Sequence, residues 1–270
     1  MRTSFTIGGE TISPGTRRTI NLPVSLLSTH TPVTVPVSVV HGKRDGATVF
    51  VSAAIHGDEI IGVEIIRRLL RSSALRYLRG TLVCVPVVNV FGFVNHSRYL
   101  PDRRDLNRSF PGNEKGSLAG QVANLFMSEI VSRCDFGIDL HSAAIHRVNL
   151  PQLRISEGQD TALGHAMIFG APVVVMAPLR DGSLRAAAEN IGVEVMVFEG
   201  GYHGGVFIFG HGGSPINAPF DYVMAPFNDT EGTLKLIEEH AGDLACVVIE
   251  PMQAAGGGIP AKPEMLRALR

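Results

Sequence analysis

Residues 47–54, Ala47-Thr48-Val49-Phe50-Val51-Ser52-Ala53-Ala54, form a largely apolar, β-branched run of the length of a buried strand. Across residues 60–70 the period changes. Apolar positions recur at helical spacing and the basic residues Arg67 and Arg68 come late, so a helix follows the strand. Asp58 and Glu59 open that segment, which puts Glu59 in the first helical turn. Residues 136–140 and 193–198 read as further strands, and Leu118, Val122, Leu125, Phe126 and Ile130 share one face of a helix over 117–133. Residues 163–169, 173–176 and 184–191 continue the pattern. Ahead of residue 47, the segments 18–24 and 32–40 alternate polar and β-branched positions and carry Pro23, Pro32 and Pro36, which predicts edge strands. Strands alternating with helices give an α/β sandwich with a mixed sheet. Toward the end, residues 221–225 and 244–250 read as strands around a helix over 230–240, with Thr230 as its N-cap.

Composition narrows the class. The 270 residues are 45% hydrophobic, enough to bury a sizeable core in one domain or in one domain with a small appendage. A formal charge of -1 gives no electrostatic case for nucleic acid or an anionic membrane. No apolar run approaches the about 20 residues that span a bilayer, and the first ten residues lack the apolar core of a signal peptide, so a cytoplasmic protein is expected. Cys84, Cys134 and Cys246 are few and lie in apolar segments, which reads as reduced core thiols.

The candidate chemistry sits at the strand ends. His56 emerges after the 47–54 strand, Glu59 follows three residues later, and His141 ends the 136–140 strand. Two imidazoles and one carboxylate leave a fourth position open, the pattern of catalytic zinc, although other divalent ions accept the same donors. Asp139, Asp58 or a backbone carbonyl could orient a ligand imidazole. The polar loop from Arg98 to Gly112 is rich in guanidinium groups, whose planar forks match carboxylates and suit an anionic substrate. His30, His41, His96, His146, His165, His203, His211 and His240 lie outside the ligand pattern and read as surface or structural residues.

Four motifs in order carry a resemblance: His56-Gly57-Asp58-Glu59, Asn89-Val90-Phe91-Gly92-Phe93, Asp105-Leu106-Asn107-Arg108-Ser109-Phe110-Pro111-Gly112 and Asp139-Leu140-His141. Over about residues 35–199 the chain resembles the succinylglutamate desuccinylase and aspartoacylase family, a branch of the zinc-carboxypeptidase-like hydrolases. The resemblance implies that fold, one zinc ion on His56, Glu59 and His141, and Asn107 and Arg108 as binders of a substrate carboxylate. It implies Glu199, in Val197-Phe198-Glu199-Gly200, as the general base of amide hydrolysis. It also implies that one of Arg98, Arg103 or Arg104, by preference Arg103, polarises the scissile carbonyl. The partner is then a small N-acyl amino acid or a related carboxylate-bearing amide, and homo-oligomer formation is left open.

From about residue 198 onward the resemblance changes. Gly201-Tyr202-His203-Gly204-Gly205, Gly212-Gly213-Ser214-Pro215, Asn228-Asp229-Thr230-Glu231-Gly232-Thr233 and Ile249-Glu250-Pro251 resemble an internal fragment of glutamate-1-semialdehyde aminomutase, a class III aminotransferase. The chain therefore reads as a chimera: a hydrolase-like domain over 1–199 and an aminotransferase-like α/β fragment over 200–270, appended to or packed on the first. The alternative to an active hydrolase is an inert metal-binding chimera without a complete substrate pocket. Pyridoxal phosphate is not expected, because Lys235 and Lys262 lie outside the motif that supplies the Schiff-base lysine in that family.

Overall fold

The computed structural model describes residues 2–143, 148–202, 228–239, 241, 252–253, 259–260 and 262–269. They fall into two units, Met1–Val206 and Phe207–Arg270. The sequence-expected strands 221–225 and 244–250, with His146, His203, His211, His240 and Cys246, lie outside the described residues.

In the first unit a hairpin of β1 (Phe5–Ile7) and β2 (Glu10–Ile12) leads into β3 (Thr16–Leu26), β4 (Pro32–His41) and β5 (Arg44–Ala53). Then come α1 (Ile61–Leu69), β6 (Arg79–Val85), the short α2 (Val90–Val94), α3 (Leu118–Glu129) and β7 (Phe136–His141). The unit closes with β8 (Val148–Ile155), α4 (Asp160–Phe169), β9 (Val173–Met176), α5 (Leu184–Glu189) and β10 (Glu194–Tyr202). Eight strands make one mixed sheet in the order β3-β4-β6-β5-β7-β10-β8-β9. Strands β6, β5, β7 and β10 run parallel, whereas β3/β4, β4/β6 and β10/β8 pair antiparallel.

Because the central strands are covered on both faces, they are apolar at nearly every position rather than at alternate ones. On one face Phe50, Val83, Val85 and Val195 pack with Phe126 of α3 and with Leu184 and Ala188 of α5. On the other, Val51, Ala53, Leu140, Met196 and Phe198 pack with Ile66 of α1 and with Ala162 and Ala166 of α4. The α/β sandwich expected from sequence is therefore the observed architecture. Phe126 stands edge-on to Phe50, with centroids 5.7 Å apart, and to Phe110, at 6.2 Å. The Phe110 contact ties the loop that follows α2 to the core.

Several local expectations shift. Only β3 of the first two long strands is an edge; β4 lies one position in. Its prolines are tolerated because β4 pairs with β6 only over Ser38–His41, leaving Pro32 and Pro36 ahead of the paired stretch. The helix expected over 117–133 ends at Glu129 and continues as a 3-10 turn over Val131–Arg133. Strands β6 and β8, unremarked in the sequence pattern, complete the sheet. The buried thiols of Cys84 and Cys134 are free, as expected.

In the second unit α6 (Thr230–Glu239) and α7 (Pro263–Ala268) are the described helices, and β11 (Met252–Gln253) pairs antiparallel with β12 (Ile259–Pro260). Thr230 is the first residue of α6 rather than its cap. The Asp229 carboxylate accepts the Gly232 N–H at 3.0 Å, and Asp is the stronger cap. No described helix of the chain is long and apolar enough to cross a membrane.

Candidate metal centre

Three central parallel strands deliver their carboxyl ends to one place, where open α/β sheets characteristically form sites. Strand β5 stops at Ala53, and Ala54 adopts φ +51°, a left-handed conformation that a non-glycine residue holds only at a cost of roughly 1–3 kcal/mol. The kink redirects the chain into the turn that carries His56. Gly57 lets this turn lie against α2: a Cβ there would stand 2.0 Å from the carbonyl carbon of Gly92. The Glu59 N–H closes the turn by donating to the His56 carbonyl at 3.1 Å. Glu59 thus precedes α1 instead of opening it as the sequence pattern suggested; its geometry is set by the turn and by its imidazole neighbours. His141 is the last residue of β7.

The structure brings His56, Glu59 and His141 together, all buried, with one donor atom from each within 4.8 Å of the others. Glu59 Oε1 lies 2.7 Å from His56 Nδ1, and Glu59 Oε2 lies 2.7 Å from His141 Nδ1. The far nitrogen of each ring also faces a carboxylate: His141 Nε2 is 2.6 Å from Asp139 Oδ2, and His56 Nε2 is 3.2 Å from Asp105 Oδ1. Asp139 is anchored in turn by the Ser52 hydroxyl, which donates to Oδ1 at 2.8 Å. Arg98 donates to Asp105 Oδ2 from Nη2 at 2.9 Å and to Glu59 Oε1 from Nη1 at 3.4 Å.

This donor set fits a divalent cation. If each imidazole gives its Nε2 proton to the outer carboxylate, each Nδ1 turns a lone pair toward a Glu59 oxygen, an arrangement that needs a positive charge between them. With both imidazoles neutral, as ligands must be, the three carboxylates of Glu59, Asp105 and Asp139 in this network face the single guanidinium of Arg98, an excess of two negative charges. The electrostatics agree. Burial opposes a charge on His141, yet Asp139 and Glu59 hold its pKa well above the imidazole range. Burial likewise opposes a charge on Glu59, but His141 and His56 hold its carboxyl far below the usual range, and His56 and Arg98 do the same for Asp105 against its own burial.

Glu199 lies on β10 directly opposite His141 of β7 in the parallel register. Its Oε2 pairs ionically with Arg154 Nη2 at 2.9 Å and accepts hydrogen bonds from Gln152 Nε2 at 3.1 Å and Asn149 Nδ2 at 3.4 Å. Asn107 and Arg108 sit in a 3-10 turn capped by Asp105, whose Oδ1 accepts the Asn107 N–H at 2.8 Å. One carboxylate therefore touches both this loop and His56. The Asn107 side-chain oxygen accepts the Leu184 N–H at 2.9 Å, fixing the loop to the start of α5. Arg108 is exposed and lines an open cavity of about 360 Å³ with Arg104, Phe110, Ser117 and Gly120; none of His56, Glu59 or His141 lines it. Arg103, the arginine preferred from sequence, is exposed with φ +61° and makes no side-chain hydrogen bond or ion pair among the described residues. The guanidinium beside Glu59 is that of Arg98.

Sequence reasoning missed Asp105 as a partner of His56, although the residue was in view within its motif. It also missed Asn149, Gln152 and Arg154. Their signal was the alternation of polar Gln152 and Arg154 with apolar Leu153 and Ile155, which marks a strand with a polar stripe. Of the other histidines, His41 is buried and bridges Thr81 Oγ1 and the Thr3 carbonyl, both at 2.9 Å, a structural role.

The sequence model of the succinylglutamate desuccinylase/aspartoacylase catalytic domain matches residues 45–207. The N-alpha-acetyl-L-2,4-diaminobutyric acid deacetylase of Halomonas elongata is 33% identical over 150 residues, 53% of this chain and 44% of that protein. The product-bound structure of the ectoine utilization protein EutE (DoeB) from Ruegeria pomeroyi superposes with a TM-score of 0.65 at 25% identity, over 70% of this chain and 61% of that one. A separate similarity links 77 residues, 28% of this chain, to 18% of the β-phenylalanine transaminase of Variovorax paradoxus at 48% identity. The two-part composition read from the sequence is consistent with these matches. The chain spans less than half the length of these two curated relatives.

Proposed function

The chain belongs to the succinylglutamate desuccinylase/aspartoacylase family, and from that membership we propose that it hydrolyses the amide bond of a small N-acyl amino acid or related carboxylate-bearing substrate, with one zinc ion on His56, Glu59 and His141. The observation that carries the reading is the buried trio, with its two imidazoles backed by Asp139 and Asp105 and its surplus of negative charge. Zinc held there supplies Lewis-acid polarisation of the scissile carbonyl and makes water a competent nucleophile near neutral pH.

The chain's own residues supply the rest. Glu199, across the strand pair from His141, takes the proton of the attacking water and hands it to the leaving amine. Arg98 gives the developing oxyanion a fixed positive charge; its pairing with Glu59 and Asp105 beside the trio supports it over Arg103 for that role. Asn107 and Arg108 present the loop that receives the substrate carboxylate, with Arg108 opening onto the cavity beside it.

The test is a hydrolysis screen of the zinc-loaded full chain against N-acetyl and N-succinyl amino acids, including Nα-acetyl-L-2,4-diaminobutyrate, read by free amine. Turnover that disappears in Glu199→Gln while zinc stays bound supports the reading. A chain that binds about one zinc and hydrolyses none of the panel speaks instead for the inert metal-binding chimera.

A further inference from the structure

We infer that β8 is a positioning element for Glu199: Arg154 and Gln152, joined by Asn149 through a bulge in the strand, hold the carboxylate by Oε2, so that Oε1 is the oxygen that serves in proton transfer. The inference rests on Glu199 being the general base, and it concerns residues that, among the described residues, make no hydrogen bond or ion pair with His56, Glu59 or His141.

In a regular strand, residues three apart point to opposite faces. Asn149 and Gln152 are three apart, yet both side chains reach Glu199 Oε2, at 3.4 Å and 3.1 Å. The pairing explains this. Between the matched pairs Glu199–Gln152 and Gly201–Asn149, β10 has one intervening residue, whereas β8 has two, Leu150 and Pro151. The extra residue is a β-bulge, a device that re-aims a side chain, and a proline without an N–H fits within it. Arg154, two residues beyond Gln152 on the same face, completes the set at 2.9 Å.

The two amide donors and the Arg154 guanidinium converge on Oε2, and among the described residues no hydrogen bond engages Oε1. A structural ion pair would typically use both oxygens in a fork. Arg154 instead commits Nη2 to Glu199 and leaves its own Nε buried with no partner. A bulged strand and an unsatisfied guanidinium donor, both directed at one carboxylate, mark a site held for chemistry rather than for stability.

The experiment uses the full chain in two arms. In the metal-free chain labelled with 13Cδ-glutamate, the resonance missing from Glu199→Gln is that of Glu199. Arg154→Ala and Gln152→Ala should each move it at constant pH, and Arg154→Lys should move it less. In the zinc-loaded chain, acting on the N-acyl amino acid the wild type turns over best, Arg154→Ala should lower kcat about 10- to 100-fold with KM and zinc content held. Arg154→Lys should restore part of the loss. An unmoved resonance in both alanine variants, or a rise in KM at constant kcat, overturns the clamp; the latter would make Arg154 a substrate contact. Unchanged turnover in Glu199→Gln sinks the base assignment itself, and the resonance arm still judges the clamp without any turnover. Gln152→Ala keeps the test valid should Arg154→Ala fold poorly.

Discussion

Asp139 and His141, two residues apart on β7, point to the same side of the sheet and meet at 2.6 Å, Oδ2 to Nε2. Asp139 is 1% exposed and fixed by Ser52 on the neighbouring strand, so the imidazole is held in one orientation with Nδ1 turned to Glu59. Period-two geometry of a strand makes this pair possible, and burial makes it strong.

Asp139→Asn keeps the volume but loses the charge that orients His141. Metal affinity should fall about 10- to 100-fold, as seen when such supporting carboxylates are removed. Competition with a chelating dye, alongside a circular-dichroism check of folding, measures it; unchanged affinity would show that Asp139 does not set the ring.

Metal binding should appear as stability. Zinc at about 100 times its Kd should add about 2.7 kcal/mol to the folded state, and the gain should vanish in His56→Ala and in His141→Ala. Thermal unfolding after chelator dialysis and zinc re-addition reads this out, and elemental analysis should return about one zinc per chain.

Arg98 and Arg103 should separate in activity. Arg98→Ala removes the guanidinium next to Glu59 and Asp105 and should lower kcat about 100-fold, the scale of a lost oxyanion donor. Arg103→Ala removes an exposed side chain and should leave stability within about 0.5 kcal/mol and turnover near wild type. Equal losses in the two variants would return the oxyanion role to the loop as a whole.

Phe126→Ala empties the space that Phe50 and Phe110 both face edge-on. Deleting a buried phenylalanine costs about 3–5 kcal/mol. Urea unfolding should show that loss, and the loop bearing Asn107 and Arg108 should become protease-sensitive, because Phe110 loses its anchor.

Burial pushes the thiols of Cys84 and Cys134 up to about 12. Neither should react with iodoacetamide at pH 8 in the folded chain, and both should react in urea. The folded state keeps these protons after the unfolded chain has released its own, so stability is fully present below about pH 9 and falls as pH rises toward 12. Alkylation of the native chain at pH 8, resolved by mass spectrometry, would contradict the burial.

The sequence by itself determined the alternation of strands and helices and the three residues, His56, Glu59 and His141, that meet as the candidate metal site. Both follow from local rules: a run of buried β-branched positions ends where a polar residue emerges, and helical spacing begins where the period changes. Tertiary structure decided what those rules do not reach. Asp105 meets His56 across 49 positions of chain, and Glu59 meets His141 across 82. Asp58, adjacent in sequence, keeps a buried Oδ1 without a partner instead of orienting an imidazole. That Arg98, of three neighbouring arginines, stands beside Glu59 and Asp105 depended on how the loop after α2 folds back. The grip of β8 on Glu199 depended on one extra residue in a strand pairing. Periodicity records which face a residue occupies; only the register between distant strands records what stands opposite it.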